Sequence, residues 1–205
     1  MLKLKKALIF WSGIVGALLF AFASIVGGLR IEGYSPISQY ISESYATGIP
    51  NAEYLRYLYI ASGMLLALFA FSASRCWPRS RLVGICFIIF GIFYGLGTIV
   101  TGFFPCDLGC RPDPENASLS QFIHNTMGFS TYAVVPFSLI GMSVSSAKRF
   151  NRVSLVSGIV SLVFVAILFS DPEGAYIGLF QRIIETSILS WVVYAAYYIK
   201  SLNIV

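Results

Sequence analysis

Six long apolar stretches divide the chain: Ala7–Gly28, Leu55–Ser74, Leu82–Phe104, Gln121–Ser146, Val153–Ser170 and about Leu179–Lys200. None alternates apolar and polar residues with the period of two that a barrel strand requires. Each lies near the ~20 residues that cross ~30 Å of hydrocarbon as a helix. In lipid a spanning backbone must satisfy its own polar groups, and for runs of this length the helix is the solution. The pattern predicts an all-α fold: one polytopic membrane domain over residues 1–205, with six transmembrane helices joined by short and long connections alternately.

The first long connection carries turn chemistry. In SPISQYISES, Ser35 stands as an N-cap and Pro36 at the first helical position. Ile37, Tyr40 and Ile41 would then share one face, with Ser38, Ser42 and Glu43 on the other. This predicts a short outward helix lying on or dipping into the membrane interface. A solvated turn with good caps accounts for the same residues. Downstream, Asn51 is placed to cap the second span, Glu53 suits its positive N-terminus, and Arg56 can pair with Glu53 at i,i+3. The third span carries Gly84, Gly91, Gly95, Gly97 and Gly102. Its small-xxx-small pair, Gly91 and Gly95, predicts close helix packing at the centre of the bundle.

Charge adds direction to this pattern. Lys3, Lys5 and Lys6 precede the first stretch; Arg75, Arg79 and Arg81 follow the second; Lys148, Arg149 and Arg152 follow the fourth; Lys200 closes the sixth. No carboxylate shares those gaps. All 9 acidic residues fall in or beside the other three gaps: Glu32, Glu43, Glu53, Asp107, Asp113, Glu115, Asp171, Glu173 and Glu185. Lys and Arg are retained on the cytoplasmic side of membrane helices. Both termini are therefore expected in the cytoplasm of a cell-membrane protein, with the acid-rich gaps outside. The N-terminal stretch has a small-residue motif at Ala21–Ala23 that resembles a signal cleavage site. Its apolar run exceeds the roughly 7–15 residues of a signal h-region, so it is read as a retained span.

The composition fits a membrane domain: 57% hydrophobic and 11% charged residues, against roughly 25% charged in soluble proteins. A net charge of +5 would raise the question of nucleic acid, but the cations are scattered over short cytoplasmic segments. No basic, aromatic-interleaved soluble segment exists to bind it. Membrane lipids are the expected partners. Nothing in the sequence indicates an oligomeric state.

The second outward connection holds Cys106 and Cys110 in PCDLGC. In an oxidising compartment this spacing permits a structural disulfide. A C-x₃-C pair differs from the C-x₂-C of thioredoxin-like redox sites, and redox chemistry and free thiols stay open as alternatives. A metal site is not expected, because zinc needs about four ligands and the chain has 1 His. Bis-histidine haem and a three-histidine metal site fall with it, and no cofactor is implied.

That histidine, His124, lies one turn inside the fourth span, behind a capping-box pattern from Ser118 to Gln121. Gln121, His124, Gly128 and Thr131 form one polar or small stripe at helical spacing. The sixth span carries Gln181, Arg182, Glu185 and Thr186 near its outward end, where Arg182 and Glu185 can pair at i,i+3. Ionisable groups in a span are costly and face partners or water. A packing histidine and a self-contained ion pair would explain these residues individually. Together, Glu43, Asp107, His124, Arg182 and Glu185 come from every outward segment at similar depth and predict one outward pocket. Arg182 suits a phosphate or carboxylate head group, and apolar helix walls suit a tail. An amphiphilic ligand bound at Gln121, His124, Arg182 and Glu185 follows. In the enzymatic alternative, a lipid hydrolase or transferase would use His124 as acid or base, oriented by Asp107 or Glu43, with Ser38, Ser42 or Ser120 as candidate nucleophiles. In a third reading, Glu185 is the coupling carboxylate of an ion- or proton-coupled transporter.

The stretches SPISQYISES…ATGIPNAEYLRYLYIASG, GTIVTGFFPCDLGC and QFIHNTMGF resemble the domain-of-unknown-function 998 family of prokaryotic integral membrane proteins, over most of the chain. That resemblance implies a six-span membrane fold and supplies no activity. The ISE…P…E pattern and the later histidine are also similar to Frag1, DRAM and Sfk1-like proteins, which implies a lipid-linked role.

Overall fold

A computed structural model describes residues 2–77, 80–111, 114–145 and 147–202. Arg79, Asp113 and the Ser146 boundary lie outside the described residues, as do the side chains of Lys3 and Lys5. The described residues form helices and turns, with no strand.

Six long helices follow the six apolar stretches: α1 (Leu2–Leu29), α2 (Ala52–Ala73), α3 (Arg81–Phe103), α4 (Leu119–Met142), α5 (Lys148–Ser170) and α6 (Ile177–Ser201). By length and composition, four of them (α1, α2, α3 and α5) are apolar enough to cross a membrane. The other two are as long, at 24 residues for α4 and 25 for α6. Gln121, His124 and Asn125 stand among the polar residues of α4, and Gln181, Arg182 and Glu185 among those of α6. The two helices that carry the predicted site are thus the two that depart from simple span composition. α4 stops at Met142, short of the predicted Ser146, where Ser143 N–H closes the last turn on the Ile140 carbonyl at 3.0 Å.

α1 packs on α2 and α6, α4 packs between α3 and α5, and α5 closes on α6. The inner face of α6 is fully buried from Ile184 through Trp191 to Ile199, so the helix with the most charged interior segment is also a core helix. Glycines set the α2–α3 approach. A Cβ on Gly95 would lie 2.6 Å from the Ala67 nitrogen, and one on Gly63 would lie 2.7 Å from the Gly95 carbonyl. Small residues at this seam let the two backbones touch, as the spacing predicted. Beside it, residues Gly91–Leu96 form a π-helical segment within α3. Thr131 on α4 donates to the Phe93 carbonyl there, at 2.6 Å.

Successive connections alternate between two ends of the bundle. At one end Trp77, Phe150 and Tyr198 cluster, Lys200 sits over the Phe10 ring at 3.8 Å, and Lys6 bonds the Leu202 carbonyl. At the other, Thr47 N–H donates to the Cys106 carbonyl (2.8 Å), Leu179 N–H to the Ile37 carbonyl (2.9 Å), and the Tyr40 hydroxyl to the Pro172 carbonyl (2.9 Å). The three acid-bearing connections therefore converge on one end, and the basic connections and both helix-bundle termini lie at the other.

Candidate functional site

The acid-bearing end is built around the segment Tyr34–Tyr45, which folds as two consecutive turns. Ser35 caps as expected: its hydroxyl accepts from Ser38 N–H at 3.3 Å, while Gln39 Oε1 accepts from Ser35 N–H at 2.7 Å. Tyr40 is extended, and Ile41–Tyr45 form a 3₁₀ turn in which every residue is buried. The continuous interfacial helix expected from the sequence is thus replaced by a turn sunk into the bundle mouth. Glu43 explains the break. Its Oε1 accepts from Tyr40 N–H (2.9 Å) and its Oε2 from Gln39 Nε2 (2.9 Å), which caps the second turn afresh. Arg111 pairs with Glu43 at 3.6 Å.

This double turn rests on the N-terminus of α6. A Cβ on Gly178 would strike the Pro36 carbonyl and, at 2.8 Å, the Gln39 nitrogen, so glycine permits the contact. Arg182 then reaches up from α6 into the turn. Its Nη1 donates to the carbonyls of Pro36 (2.8 Å), Gln39 (3.0 Å) and Gly178 (3.0 Å), and its Nη2 donates to the Tyr34 hydroxyl (2.6 Å). Burial holds the Tyr34 phenol above its ordinary range, with the Arg182 hydrogen bond pulling the other way. The phenol is neutral at neutral pH, so it solvates the guanidinium without cancelling its charge.

Glu185 was expected to hold this guanidinium, and it does not. Its two oxygens accept from the Tyr94 hydroxyl (2.6 Å) and the Tyr132 hydroxyl (2.7 Å), on α3 and α4. Gln181 Nε2 donates to the Tyr132 hydroxyl (2.9 Å), and its Oε1 accepts from Ile41 N–H (2.7 Å). One buried chain of hydrogen bonds therefore links the 3₁₀ turn, α6, α4 and α3. Among the described residues no cation lies within ion-pair distance of Glu185.

Two cavities flank this network. A groove of about 420 Å³ runs along the α1–α6 seam, lined by Phe20, Ala21, Ile25, Leu29 and Leu189, with Tyr34, Arg182 and Glu185 among its polar groups. A smaller chamber of about 70 Å³ is lined by Ser42, Tyr45, Tyr59, Thr98, Thr101, His124, Thr131, Tyr132, Gln181 and Glu185. Phe20, Ile41 and Glu185 line both. The single pocket expected from the sequence is divided: Arg182 lines the groove, His124 lines the chamber, and Glu185 stands at their common wall.

His124 is buried, and its Nδ1 lies 2.9 Å from the Phe104 carbonyl. Neither carboxylate proposed to orient it does so. Asp107 accepts from Ser118 N–H (2.9 Å) and from the Ser118 hydroxyl (2.7 Å). It thereby takes the place Gln121 would hold in a capping box, while Ser118 still caps Gln121 N–H at 3.0 Å. Gln121 instead anchors the preceding loop, accepting from Asp107 N–H (2.7 Å) and donating to the Cys110 carbonyl (3.3 Å). Cys106 and Cys110 are bridged, their Cα atoms 5.0 Å apart, and Gly109 and Cys110 adopt the left-handed conformations that so tight a ring needs. At the second span, Asn51 is left-handed and makes no side-chain cap. Arg56 turns from Glu53 to the carbonyls of Tyr45 (2.9 Å) and Ala46 (3.0 Å).

Tyr34, Tyr45, Tyr59 and Tyr132 are the site residues that sequence reasoning passed over. Tyr59 and Tyr132 lie in apolar helices, where aromatic residues look like packing groups, and Tyr34 and Tyr45 lie in a connection with no local motif around them; the one sequence signal was the position of Tyr132 beside the His124–Thr131 stripe.

Residues 14–198 match the family described as Protein of unknown function (DUF998), and the chain belongs to that family. No curated protein and no solved structure matches it.

Proposed function

We propose that this member of the DUF998 family is a multi-pass cell-membrane protein that binds, senses or moves a lipid-like amphiphile with an anionic head group, in the groove beside Arg182. One observation carries the reading. Among the described residues no carboxylate pairs with Arg182, and its guanidinium lines a groove whose other walls are mainly apolar side chains of α1 and α6. Carbonyls and a neutral phenol hold the group in place and leave its charge for a ligand. A phosphate or carboxylate would complete it, and a hydrocarbon tail would follow Phe20, Ile25 and Leu29.

In this reading all six helices cross the membrane. Both termini are cytoplasmic, because the basic connections gather at one end. The bridged Cys106–Cys110 loop at the opposite end suits an oxidising exterior. The acid–base alternative through His124 has less support, since Asp107 and Glu43 are both engaged in caps.

Native mass spectrometry of protein purified in mild detergent tests the proposal. Wild-type protein should carry anionic lipid in preference to zwitterionic lipid. Arg182→Ala should lose it and Arg182→Lys should retain less. Ala21→Phe, which narrows the groove from its α1 wall and leaves Arg182 in place, should also lose it. Lipid retention without preference for charge, unaltered in all three variants, sinks the reading.

A further inference from the structure

Glu185 is 6% exposed, yet the protein supplies it with two phenols and no cation among the described residues. Arg182 is available one turn away and is drawn elsewhere. A buried carboxylate without a counter-charge is expensive in a membrane core, and two neutral donors offset only part of that cost. A proton would remove the charge outright. Each carboxylate oxygen keeps lone-pair capacity beyond its one phenol bond.

The chamber supplies what proton exchange at Glu185 requires. It has room for a small number of waters, each needing two to four polar partners, and its walls carry the hydroxyls of Ser42, Thr98, Thr101 and Thr131, of which the three threonines already donate to carbonyls and offer water their lone pairs. The Tyr59 hydroxyl, on a residue 1% exposed that also lines the chamber, is buried and makes no hydrogen bond of full geometry among the described residues, with the Ser24 side chain of α1 beside it. A water reaching it would supply the missing partner.

Glu185 also reaches the groove, and this links the two cavities. We propose that Glu185 and the chamber beside it form a hydrated proton-binding site, and that proton uptake there is coupled to binding of an anionic head group at Arg182. The inference rests on the amphiphile reading above. A hydronium ion from solvent gives its proton to a carboxylate oxygen and is left as water, and the new O–H donates to chamber water. An anion in the groove repels the Glu185 charge and so favours its protonated form. By reciprocity, a protonated Glu185 favours the anion. The other titratable groups facing Glu185 are Tyr94 from α3, Tyr132 and His124 from α4, Tyr45 from the 3₁₀ turn and Tyr59 from α2. Tyr34, and Arg182 one turn away on the same helix, also line the groove. Glu43 is turned away toward Gln39 and Arg111. His124 is the one group in this set, apart from Glu185, whose ordinary pKa lies below that of a phenol, and the test must separate the two.

The probe is lysophosphatidylglycerol, whose phosphodiester keeps its charge from acidic to mildly alkaline pH. Its affinity for full-length protein is measured over that range, with proton uptake read by calorimetry in buffers of different ionisation enthalpy. Wild-type protein should bind more tightly as pH falls, by up to about tenfold per pH unit where one proton is taken up. Glu185→Gln should bind with little pH dependence and no proton uptake. If that variant does not fold, infrared difference spectroscopy of the wild type decides: probe addition should produce a protonated-carboxyl band, and its absence overturns the inference. Binding that is independent of pH in the wild type overturns the coupling and leaves the amphiphile reading standing. Loss of pH dependence in His124→Gln with retention in Glu185→Gln moves the proton to the histidine and overturns the assignment. No binding at any pH overturns the amphiphile reading, and the coupling with it.

Discussion

Arg182 and Glu185 stand one helical turn apart on α6 and do not pair. The guanidinium is taken by three carbonyls and Tyr34, the carboxylate by Tyr94 and Tyr132. A local i,i+3 ion pair contributes only about 0.2–0.5 kcal/mol. A hydrogen bond to a charged group contributes roughly 1.5–3 kcal/mol, so multiple charged hydrogen bonds outweigh the local pair. The outcome is a separated pair of charges, one at the groove and one at the wall it shares with the chamber.

Removing either phenol from Glu185 should be costly. Tyr94→Phe and Tyr132→Phe are each expected to destabilise the protein by about 1–3 kcal/mol, the range for depriving a buried acceptor of its partner. Unfolding in detergent provides the measurement. Combined with Glu185→Gln, either change should cost less than the sum of the two single substitutions. Strict additivity would mean that these hydroxyls do not act through the carboxylate.

The glycines of α3 and α4 should respond oppositely. In Gly95→Ala the new Cβ would meet the Ala67 nitrogen at 2.6 Å and its Cα at 2.7 Å. These are backbone atoms that yield only if α2 and α3 separate, so a loss of about 1–3 kcal/mol is expected. Gly128 has nothing within 4 Å of a Cβ, and Gly128→Ala should hold or raise stability by up to about 1 kcal/mol through helix propensity. Equal thermal shifts for the two variants would contradict the close α2–α3 approach.

Cys106 and Cys110 should resist alkylation until a reductant is added, whereas Cys76, a half-buried free thiol, should label without one. Peptide mass spectrometry resolves the four sites. Closing so short a ring contributes about 2 kcal/mol in the chain-entropy picture, and Cys106→Ala with Cys110→Ala should lower the unfolding midpoint accordingly. Labelling of Cys106 in unreduced protein from an oxidising compartment contradicts the bridge.

Cysteines introduced at Arg149 and Glu173 should react with a membrane-impermeant maleimide from opposite sides: Glu173→Cys in intact cells, Arg149→Cys only after the membrane is opened. Arg149 lies in the first turn of α5 at the basic end, and Glu173 follows its far end at the acid-bearing one. Labelling of both from one side would remove α5 from the set of spans.

What could be read from the sequence alone was whatever depends on local composition. Six helices, their alternating ends, the gathering of the acid-bearing connections, the close-packing glycines, the cysteine pair and the caps at Ser35 and Ser118 were legible because each rests on residues within a few positions of one another. Partner choice between distant segments was not. The Pro36 carbonyl reaches Arg182 across 146 residues, and the Tyr94 hydroxyl reaches Glu185 across 91. The same holds for Asp107 and Glu43, whose sequence neighbourhoods suit a catalytic carboxylate as well as a cap. The expected interfacial helix became a double turn with its second half buried, because Glu43 had the Tyr40 N–H and the Gln39 side-chain amide to satisfy and α6 offered a glycine to rest on. Only the packed bundle decides which of several chemically adequate partners a polar side chain meets. In a low-dielectric interior that decision outweighs any local preference, and here it divided one expected pocket into a groove at Arg182 and a chamber at His124, with Glu185 between them.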